Sequence, residues 1–258
     1  MHVKPLLLFN WNSYGTKEII IDFFEYLRLQ SFLEQYQCTV LLPHLYSYLY
    51  HQYSPSPLLL GSQTCSKINN IHSTGMITAS MLHDIGVNSV CIGSHSRQKN
   101  LVESQEDYIL QIEQALDNDL IILFHITETY HDHKKKTIKH ILQKQLGPIL
   151  YNFETQLTTD NFIIVYEPVW ELSEDEDTVS DVYCTYIYEA IHKLLPTHLH
   201  DFRFILSSLL LSPSYYASYL SKTSLSGFMF SMNPQWMSQL NEHAEQHNCD
   251  STQYDYNI

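Results

Sequence analysis

His131 and His133, with Glu128 and Asp132 close by, are residue types that bind metal ions. A zinc site needs a second set of ligands at a regular spacing, and none follows here. Three lysines at positions 134–136 come directly after the histidines instead. The sequence therefore predicts no metal site, and it predicts no other cofactor.

The cysteines and glycines form no recognised catalytic motif. The five cysteines are odd in number and lack CxxC spacing, which favours reduced cytoplasmic thiols over a disulfide framework. Only seven glycines occur, where average usage would give about eighteen. Phosphate-cradling loops depend on glycine. The chain has no Walker loop, GxGxxG or GxSxG, so neither nucleotide binding nor serine hydrolysis is predicted.

The composition is typical of a folded, soluble chain. Hydrophobic residues make up 44% and aromatic residues 13% of the 258 residues, which excludes disorder over most of the length. The formal charge of −14 disfavours nucleic-acid and anionic-membrane surfaces, which need clustered Lys and Arg. No run approaches the ~20 apolar residues of a membrane helix, and the apolar run at 6–9 is too short for a signal peptide. We expect a cytoplasmic protein that binds neither nucleic acid nor membrane.

Eight short apolar runs, separated by helical patterns, predict the strands of a parallel sheet. Continuous apolar runs are typical of strands that are buried on both faces. The predicted strands are Leu6–Trp11, Thr39–Leu42, Leu58–Gln63, Ser89–Ile92, Leu120–Ile126, Phe162–Tyr166, Phe202–Leu206 and Gly227–Phe230. Amphipathic helices are predicted over Lys17–Leu33 and Asp177–Leu194, the second with Asp177, Thr178 or Ser180 as its N-cap. The alternation predicts an α/β fold, a (β/α)8 barrel, with a doubly wound sheet as the alternative.

The domain organisation is predicted to be simple. No Gly/Ser linker or composition break divides the chain, so we expect one barrel domain over residues 1–240. Residues 241–258 form a polar C-terminal tail that is expected to fray.

Several segments, in order along the chain, resemble motifs of the triosephosphate isomerase family. Tyr-Glu-Pro-Val-Trp at 166–170 is the family's strand 6 motif without change, which is a specific signal. The others are Phe-Asn-Trp-Asn at 9–12, Gly-Ser-Gln-Thr at 61–64, Thr-Gly at 74–75, Met-Leu-His-Asp-Ile-Gly-Val at 81–87, Ile-Gly-Ser-His-Ser-Arg at 92–97 and Thr-Glu-Thr at 127–129. The resemblance implies a TIM barrel, usually homodimeric, that interconverts dihydroxyacetone phosphate and glyceraldehyde 3-phosphate.

By this resemblance Glu167 is the catalytic base, at the C-terminal end of strand 6 where barrel chemistry takes place. The groups that would assist the base are altered. Asn12 replaces the family lysine and carries no charge, whereas Asn10 is retained. Lys17 lies nearby but is expected to begin the first helix. Loss of one preorganised donor typically lowers the rate by ~100- to 1000-fold.

The family's electrophilic histidine has two candidate positions in this chain. Counted directly from Gly93, the position is Ser94; with one residue inserted, His95 and Ser96 become the family's His-Ser pair. A slip of one residue reverses the direction of a strand side chain, so His95 remains a candidate catalytic residue with its register open. Both registers lose the glutamate that follows the pair in the family.

The family's phosphate site is also changed. The family binds phosphate with the backbone N–H groups of glycine-rich turns. Ser-Ser-Leu at 207–209 replaces Gly-Gly-Ser, and Ser-Met at 231–232 replaces Gly-Gly, so side chains are added. The degenerate phosphate site is predicted to include Ser173, Ser207, Ser208 and Ser231. In the family, the loop after strand 6 acts as a lid that closes over the substrate. Here this lid, at 171–177, carries five carboxylates, which predicts a solvated acidic loop that is poorly suited to closing over a phosphate dianion.

Gln63, Thr74 and Gly75 match the loop through which subunits of this family pair, so a homodimer is expected. Three functions stay open. The chain is a divergent homologue with absent or greatly reduced isomerase activity (a pseudoenzyme), an active glycolytic triosephosphate isomerase with compensating residues, or a non-catalytic binding or scaffold protein. The expected ligand is a triose phosphate or another small molecule. The fold cannot choose among these, because function resides in the site.

Overall fold

The protein closes eight parallel strands into a barrel, in the order β1-β2-β3-β4-β5-β6-β7-β8 with β8 paired to β1. The computed structural model describes residues 4–30, 32–70, 72–172, 178–208 and 216–233. The strands are β1 Leu6–Asn10, β2 Gln37–Leu42, β3 Leu59–Ser62, β4 Ser89–Ile92, β5 Ile121–Glu128, β6 Phe162–Pro168, β7 Arg203–Ser208 and β8 Gly227–Ser231. The predicted (β/α)8 barrel is confirmed. The doubly wound alternative is wrong because this sheet closes on itself.

Each predicted apolar run forms a strand, and differences of two residues occur at the start of β2 and at the C-terminal ends of β5, β6 and β7. Strands β5, β6 and β7 each run on into polar residues, as far as Glu128, Pro168 and Ser208. Backbone pairing continues there, with Thr127 opposite Glu167. Since ladder hydrogen bonds are made by the backbone, polar side chains can extend a strand that apolar patterning would end. These polar extensions form the edge of the barrel that carries the candidate site.

Alternate strand residues face the inside of the barrel and the surrounding helices. Leu6 and Leu8 of β1 point inward, whereas Leu7 and Phe9 pack outward against the helical layer. The inner cluster is filled by Leu6, Leu8, Leu41, Cys91, Leu123, Ile163, Val165, Ile205 and Met229. Branched and bulky side chains of this kind fill a TIM barrel as a solid core rather than a pore.

The helices lie between the strands along the chain. They are α1 Lys17–Arg28, α2 Phe32–Gln35, α3 Ser47–Tyr53, α4 Ala79–Asp84, α5 His95–Leu101, α6 Gln105–Leu116, α7 Tyr130–Lys135, α8 Ile138–Phe153, α9 Asp181–His192 and α10 Tyr216–Lys222. Helix α1 begins at Lys17 as predicted, capped by Thr16, and ends at Arg28. Helix α9 is capped by Ser180, whose side chain accepts from the Tyr183 N–H, so Ser180 is the N-cap among the three predicted candidates.

Two further predictions concern the ends of the chain and membranes. The barrel strands span Leu6 to Ser231, and the predicted tail at 241–258 lies outside the described residues. None of the helices in the described ranges combines the length and apolar character needed to cross a bilayer.

Candidate active site

A cavity of about 580 Å³ opens among the C-terminal ends of the strands, within the ~300–1000 Å³ range of small-molecule sites. The predicted site residues Asn10, Asn12, His95, Glu167, Ser207 and Ser231 all line it. The structure therefore brings residues from five separate strand ends to one place. Lys17 is exposed on α1 and is not part of this lining.

Glu167 is the penultimate residue of β6, and its side chain is 25% exposed. Its Oε2 accepts from the backbone N–H of His95 at 2.9 Å and lies 3.3 Å from Nδ1 of His125. Burial alone would raise the pKa of Glu167, but these two partners outweigh it and hold the pKa below its ordinary value. Glu167 is therefore held as a carboxylate, with less basicity than a free glutamate.

His125, on β5, is a site residue that the sequence analysis missed. It lies two residues after the inward-facing Leu123, so strand alternation turns it into the barrel, where it is 2% exposed. Burial opposes a charge on the ring, but the neighbouring Cys91 sulfur and the Glu167 carboxylate outweigh it and raise the pKa of His125 to about 10. The ring is thus an imidazolium whose Nδ1 donates to Glu167. A lone histidine in an otherwise apolar strand was the signal that could have identified it.

Nε2 of His125 is buried and makes no hydrogen bond within the part of the chain that the structure describes. Cys91, from the adjacent strand β4, lies beside the ring and also lines the cavity. Cys91 pairs with Leu123 in the ladder, so His125 is its diagonal neighbour on the same inner face. Cys91, His125 and Glu167 consequently form the floor of the cavity.

Asn10, Asn12 and Gln63 form one hydrogen-bonded corner of the cavity. Asn10 Nδ2 donates to Asn12 Oδ1 at 2.9 Å, and Asn10 Oδ1 accepts from the Asn12 N–H at 3.1 Å. Gln63 Nε2 donates to Asn10 Oδ1 at 3.2 Å and to the Asn12 carbonyl at 2.9 Å. Asn12 has a φ of 49°, a left-handed conformation that asparagine tolerates better than most residues. The position that holds lysine in the family is thus a neutral amide bonded to its neighbours.

Strand β4 turns into helix α5 through Gly93, whose φ is 86°. A Cβ at this position would lie 3.1 Å from the backbone oxygen of His125. The turn makes Ser94 the N-cap of α5 and His95 its first residue, and both line the cavity. It is the backbone N–H of His95 that bonds Glu167. Whether Ser94 or His95 fills the role of the family histidine therefore stays a prediction.

Arg97 is the cationic side chain of this corner, but its charge is paired. Its Nε and Nη2 donate to Glu103 Oε1 at 3.0 and 2.6 Å. Both bonds end on the same carboxylate oxygen, and charge-assisted hydrogen bonds of this kind are stronger than those between neutral groups. Arg97 lines the cavity with its charge already balanced by Glu103.

The predicted phosphate end of the cavity contains a buried carboxylate. Ser207 and Ser231 line the cavity from the ends of β7 and β8, whereas Ser208 is buried and donates to Glu171 Oε2 at 2.8 Å. Glu171 Oε1 accepts from the Val179 N–H at 2.8 Å. The expectation that the acidic lid is solvated is wrong for Glu171, which is 3% exposed, because these donors compensate its burial. Ser173 and the remaining lid carboxylates lie outside the described residues.

Beside the lid, Glu128 at the end of β5 forms a second buried network. Its carboxylate is completely buried and accepts from Trp170 Nε1 at 2.8 Å, from the Tyr183 hydroxyl at 2.9 Å and from the Tyr166 hydroxyl. His133 stacks on Trp170 with ring centroids 4.1 Å apart. Within the described ranges, no group of three or more His, Cys, Asp or Glu is placed to hold a metal ion.

The residues expected at a subunit contact divide between two environments. Gln63 is half-buried and bonded within the chain, as described above. Thr74 and Gly75 are exposed, and Gly75 has a φ of 79° with open space around it. A subunit contact through these residues stays a prediction.

Comparison with known proteins places this geometry in context. The family model for "Triosephosphate isomerase" matches residues 5–203. The triosephosphate isomerase of Buchnera aphidicola subsp. Cinara cedri is 33% identical over 177 residues, which is 66% of this chain and 68% of that relative. The triosephosphate isomerase of Mycoplasmoides gallisepticum is 28% identical over 172 residues, with the same 66% and 68% coverage. The crystal structure of triosephosphate isomerase from Bartonella henselae superposes with a TM-score of 0.75 at 22% identity, covering 89% of this chain and 92% of that chain.

Proposed function

Because this chain belongs to the triosephosphate isomerase family, we propose that it is a divergent member whose interconversion of dihydroxyacetone phosphate and glyceraldehyde 3-phosphate is absent or greatly reduced. The observation that carries the proposal is the charge facing the cavity. Glu167 and Glu171 line it, and the guanidinium of Arg97 is already bound by Glu103. Among the described residues no lysine contributes to this lining. A dianionic substrate would therefore meet two carboxylates, whereas the described cations of the lining are already paired with carboxylates, Arg97 with Glu103 and His125 with Glu167.

The state of the base supports the same proposal. Isomerisation requires one base to move a proton between adjacent carbons, and a base is most effective when its pKa lies near the working pH. Glu167 has the right position at the end of β6, but His125 and the His95 N–H hold its pKa low. To take a proton, Glu167 would have to give up the charge that its contact with the imidazolium stabilises.

The groups that would stabilise a developing oxyanion are weak as well. Asn12 offers a neutral amide N–H in place of a charged donor. Its Oδ1 and carbonyl accept hydrogen bonds from Asn10 and Gln63, which leaves Nδ2 as the group that can donate. An oxyanion needs donors that are preorganised toward it. With one donor weakened and the base stabilised as its anion, the two losses act on the same proton-transfer step.

Turnover of glyceraldehyde 3-phosphate tests the proposal directly. The purified chain and the Bartonella henselae isomerase are measured side by side in a coupled assay, together with Glu167→Gln of this chain. We expect kcat/KM to be lower than that of the relative by at least about 100-fold, the lower end of the ~100- to 1000-fold effect of losing one preorganised donor. Any remaining turnover should disappear in Glu167→Gln. Rates near those of the relative, abolished by the same substitution, would establish an active isomerase with compensating residues.

We further propose that the protein is a cytoplasmic homodimer. Large apolar side chains are exposed along the segments that follow β2, β3 and β4, among them Leu45, Met76, Leu101 and Val102. Strands β2, β3 and β4 are neighbours in the barrel, and exposed apolar groups that lie together are typical of interaction surfaces. Cys38, Cys65, Cys91 and Cys184 are free and buried, as suits a reducing compartment. Light scattering on the eluting protein should give twice the mass of the chain, and a monomer at micromolar concentration would refute the dimer.

A further inference from the structure

The carboxylate of Glu171 occupies a place where two donors converge. The backbone N–H of Val179 and the hydroxyl of Ser208 each lie 2.8 Å from one of its oxygens. A main-chain N–H and a serine hydroxyl are the donors that proteins commonly offer to bound anions. Here the chain supplies the anion itself, at the end of the cavity bounded by Ser207 and Ser231.

The local fold explains why Glu171 reaches this position. Strand β6 ends at Pro168 and continues as a short 3-10 turn over Val169–Leu172, which includes the buried Glu171. Val179 follows the lid, and Ser208 ends β7. The Glu171 carboxylate therefore links the residue before the lid loop to Val179 after it and to Ser208 at the end of β7. Its burial fixes the position of the carboxylate.

The rest of the lining is suited to hydroxyl groups. The amides of Asn10 and Asn12, the imidazole of His44 and the hydroxyls of Ser94, Ser207 and Ser231 line the cavity. Amides and hydroxyls both donate and accept, so they can match a ligand that carries several hydroxyl groups. With about 580 Å³, the cavity has room for a molecule larger than a triose.

We infer that this cavity binds an uncharged polyhydroxy aldehyde or ketone, that is, a small unphosphorylated sugar, and that Glu171 excludes phosphorylated ligands by filling the anion position. The inference deepens the proposed function and rests on it, because both require that this cavity disfavour phosphorylated ligands. The charge of Glu167 is balanced by His125, so Glu171 is the carboxylate that disfavours a phosphate dianion, whereas it does not oppose a neutral sugar.

Binding measurements on the full chain test this inference. Dihydroxyacetone and D-xylose serve as neutral probes and 2-phosphoglycolate as the anionic probe, each followed by isothermal titration and by ligand-observed NMR at neutral pH. We expect a neutral probe to bind with a millimolar or lower Kd, at least about tenfold more tightly than 2-phosphoglycolate. Equal or tighter binding of 2-phosphoglycolate would overturn the inference, and so would a folded protein that binds neither neutral probe.

Two variants assign the selectivity to Glu171. Glu171→Gln keeps the shape and an oxygen that can accept from Val179, and removes the charge. It should tighten binding of 2-phosphoglycolate by about tenfold or more and change sugar binding by less than about threefold. Glu113→Gln, at an exposed position of α6, removes the same charge and should change neither. If a folded Glu171→Gln protein kept the wild-type preference for sugars over 2-phosphoglycolate, the role of Glu171 would be refuted. If that variant does not fold, the binding measurements on the wild-type chain still test the inference.

The two proposals fail separately. High turnover of glyceraldehyde 3-phosphate would refute the proposed loss of activity. Absence of both that turnover and sugar binding would leave the loss of activity standing and refute the sugar site alone.

Discussion

Replacing His125 by glutamine removes a buried cation that contacts Glu167, while keeping a side chain that can donate a hydrogen bond. The imidazole lies 3.3 Å from Glu167 Oε2 and is 2% exposed. Glutamine does not titrate, so His125→Gln removes one proton-binding group from the folded protein. The variant therefore isolates what this proton contributes to stability.

The magnitude follows from the difference between the folded and unfolded pKa values. The pKa of His125 is raised to about 10 in the folded protein, against ~6.5 in an unfolded chain. The stabilisation is complete below about pH 6.5 and is lost as the pH rises toward 10, because the unfolded state releases this proton first. One proton changes the free energy of unfolding by about 1.4 kcal/mol per pH unit. The wild-type protein should thus lose on the order of 3–5 kcal/mol across this window.

Glu167 contributes with the opposite sign. Its pKa is lowered in the folded protein, so its stabilisation is present above ~4.3, the ordinary value, and is lost as the pH falls. The contact between His125 and Glu167 is therefore at full strength between the ordinary pKa values of glutamate and histidine. Stability should be highest in that mildly acidic interval.

Urea unfolding between pH 6 and pH 10 measures the effect for wild type, His125→Gln and the control His140→Gln, whose histidine is exposed. Burial also raises the pKa values of Cys38, Cys65 and Cys184. These thiols lower stability at high pH in all three proteins, so the difference between wild type and His125→Gln is the quantity to follow. That difference should shrink steadily from pH 6.5 toward pH 10. A constant difference over this range would refute the protonated His125.

Two further predictions concern the positions that shape the site. Gly93→Ala should destabilise the protein by about 1–3 kcal/mol, because φ is 86° and the new Cβ lies 3.1 Å from a backbone oxygen. Gly147→Ala, in α8, is its control. It should change stability by less than about 1 kcal/mol in the same urea unfolding experiment, because the helix propensity gained by alanine is offset by the contact of its Cβ with the following Pro148. Equal effects would contradict the strained turn. Glu128→Gln should cost about 2–4 kcal/mol, because an amide N–H then faces the donors of Tyr166, Trp170 and Tyr183. Glu113→Gln should stay within about 0.5 kcal/mol in the same measurement, and a similarly small change for Glu128→Gln would contradict the buried network.

Local patterning carries most of the information about the barrel. Each strand is a run of apolar residues buried on both faces, and such a run is visible without knowledge of its neighbours. Ser89–Ile92 was predicted with both ends correct, and the intact motif at 166–170 placed Glu167 at the end of β6. The departures from the family motifs at positions 12, 207, 208 and 231 can also be identified from the sequence, because they require only that residue types be compared with those motifs.

The contacts at the floor of the cavity and at its predicted phosphate end could not be predicted from local patterning. His125 meets Glu167 because β5 and β6 pair in a register that aligns their ends, with Thr127 opposite Glu167. Glu171, read from the sequence as part of a solvated acidic loop, is buried because barrel closure brings Val179 and Ser208 to its two oxygens. Residue types along the chain could predict a barrel and its base. The protonation of that base and the burial of a carboxylate beside it depend on through-space neighbours 42 and 37 positions apart, which strand register and barrel closure bring together.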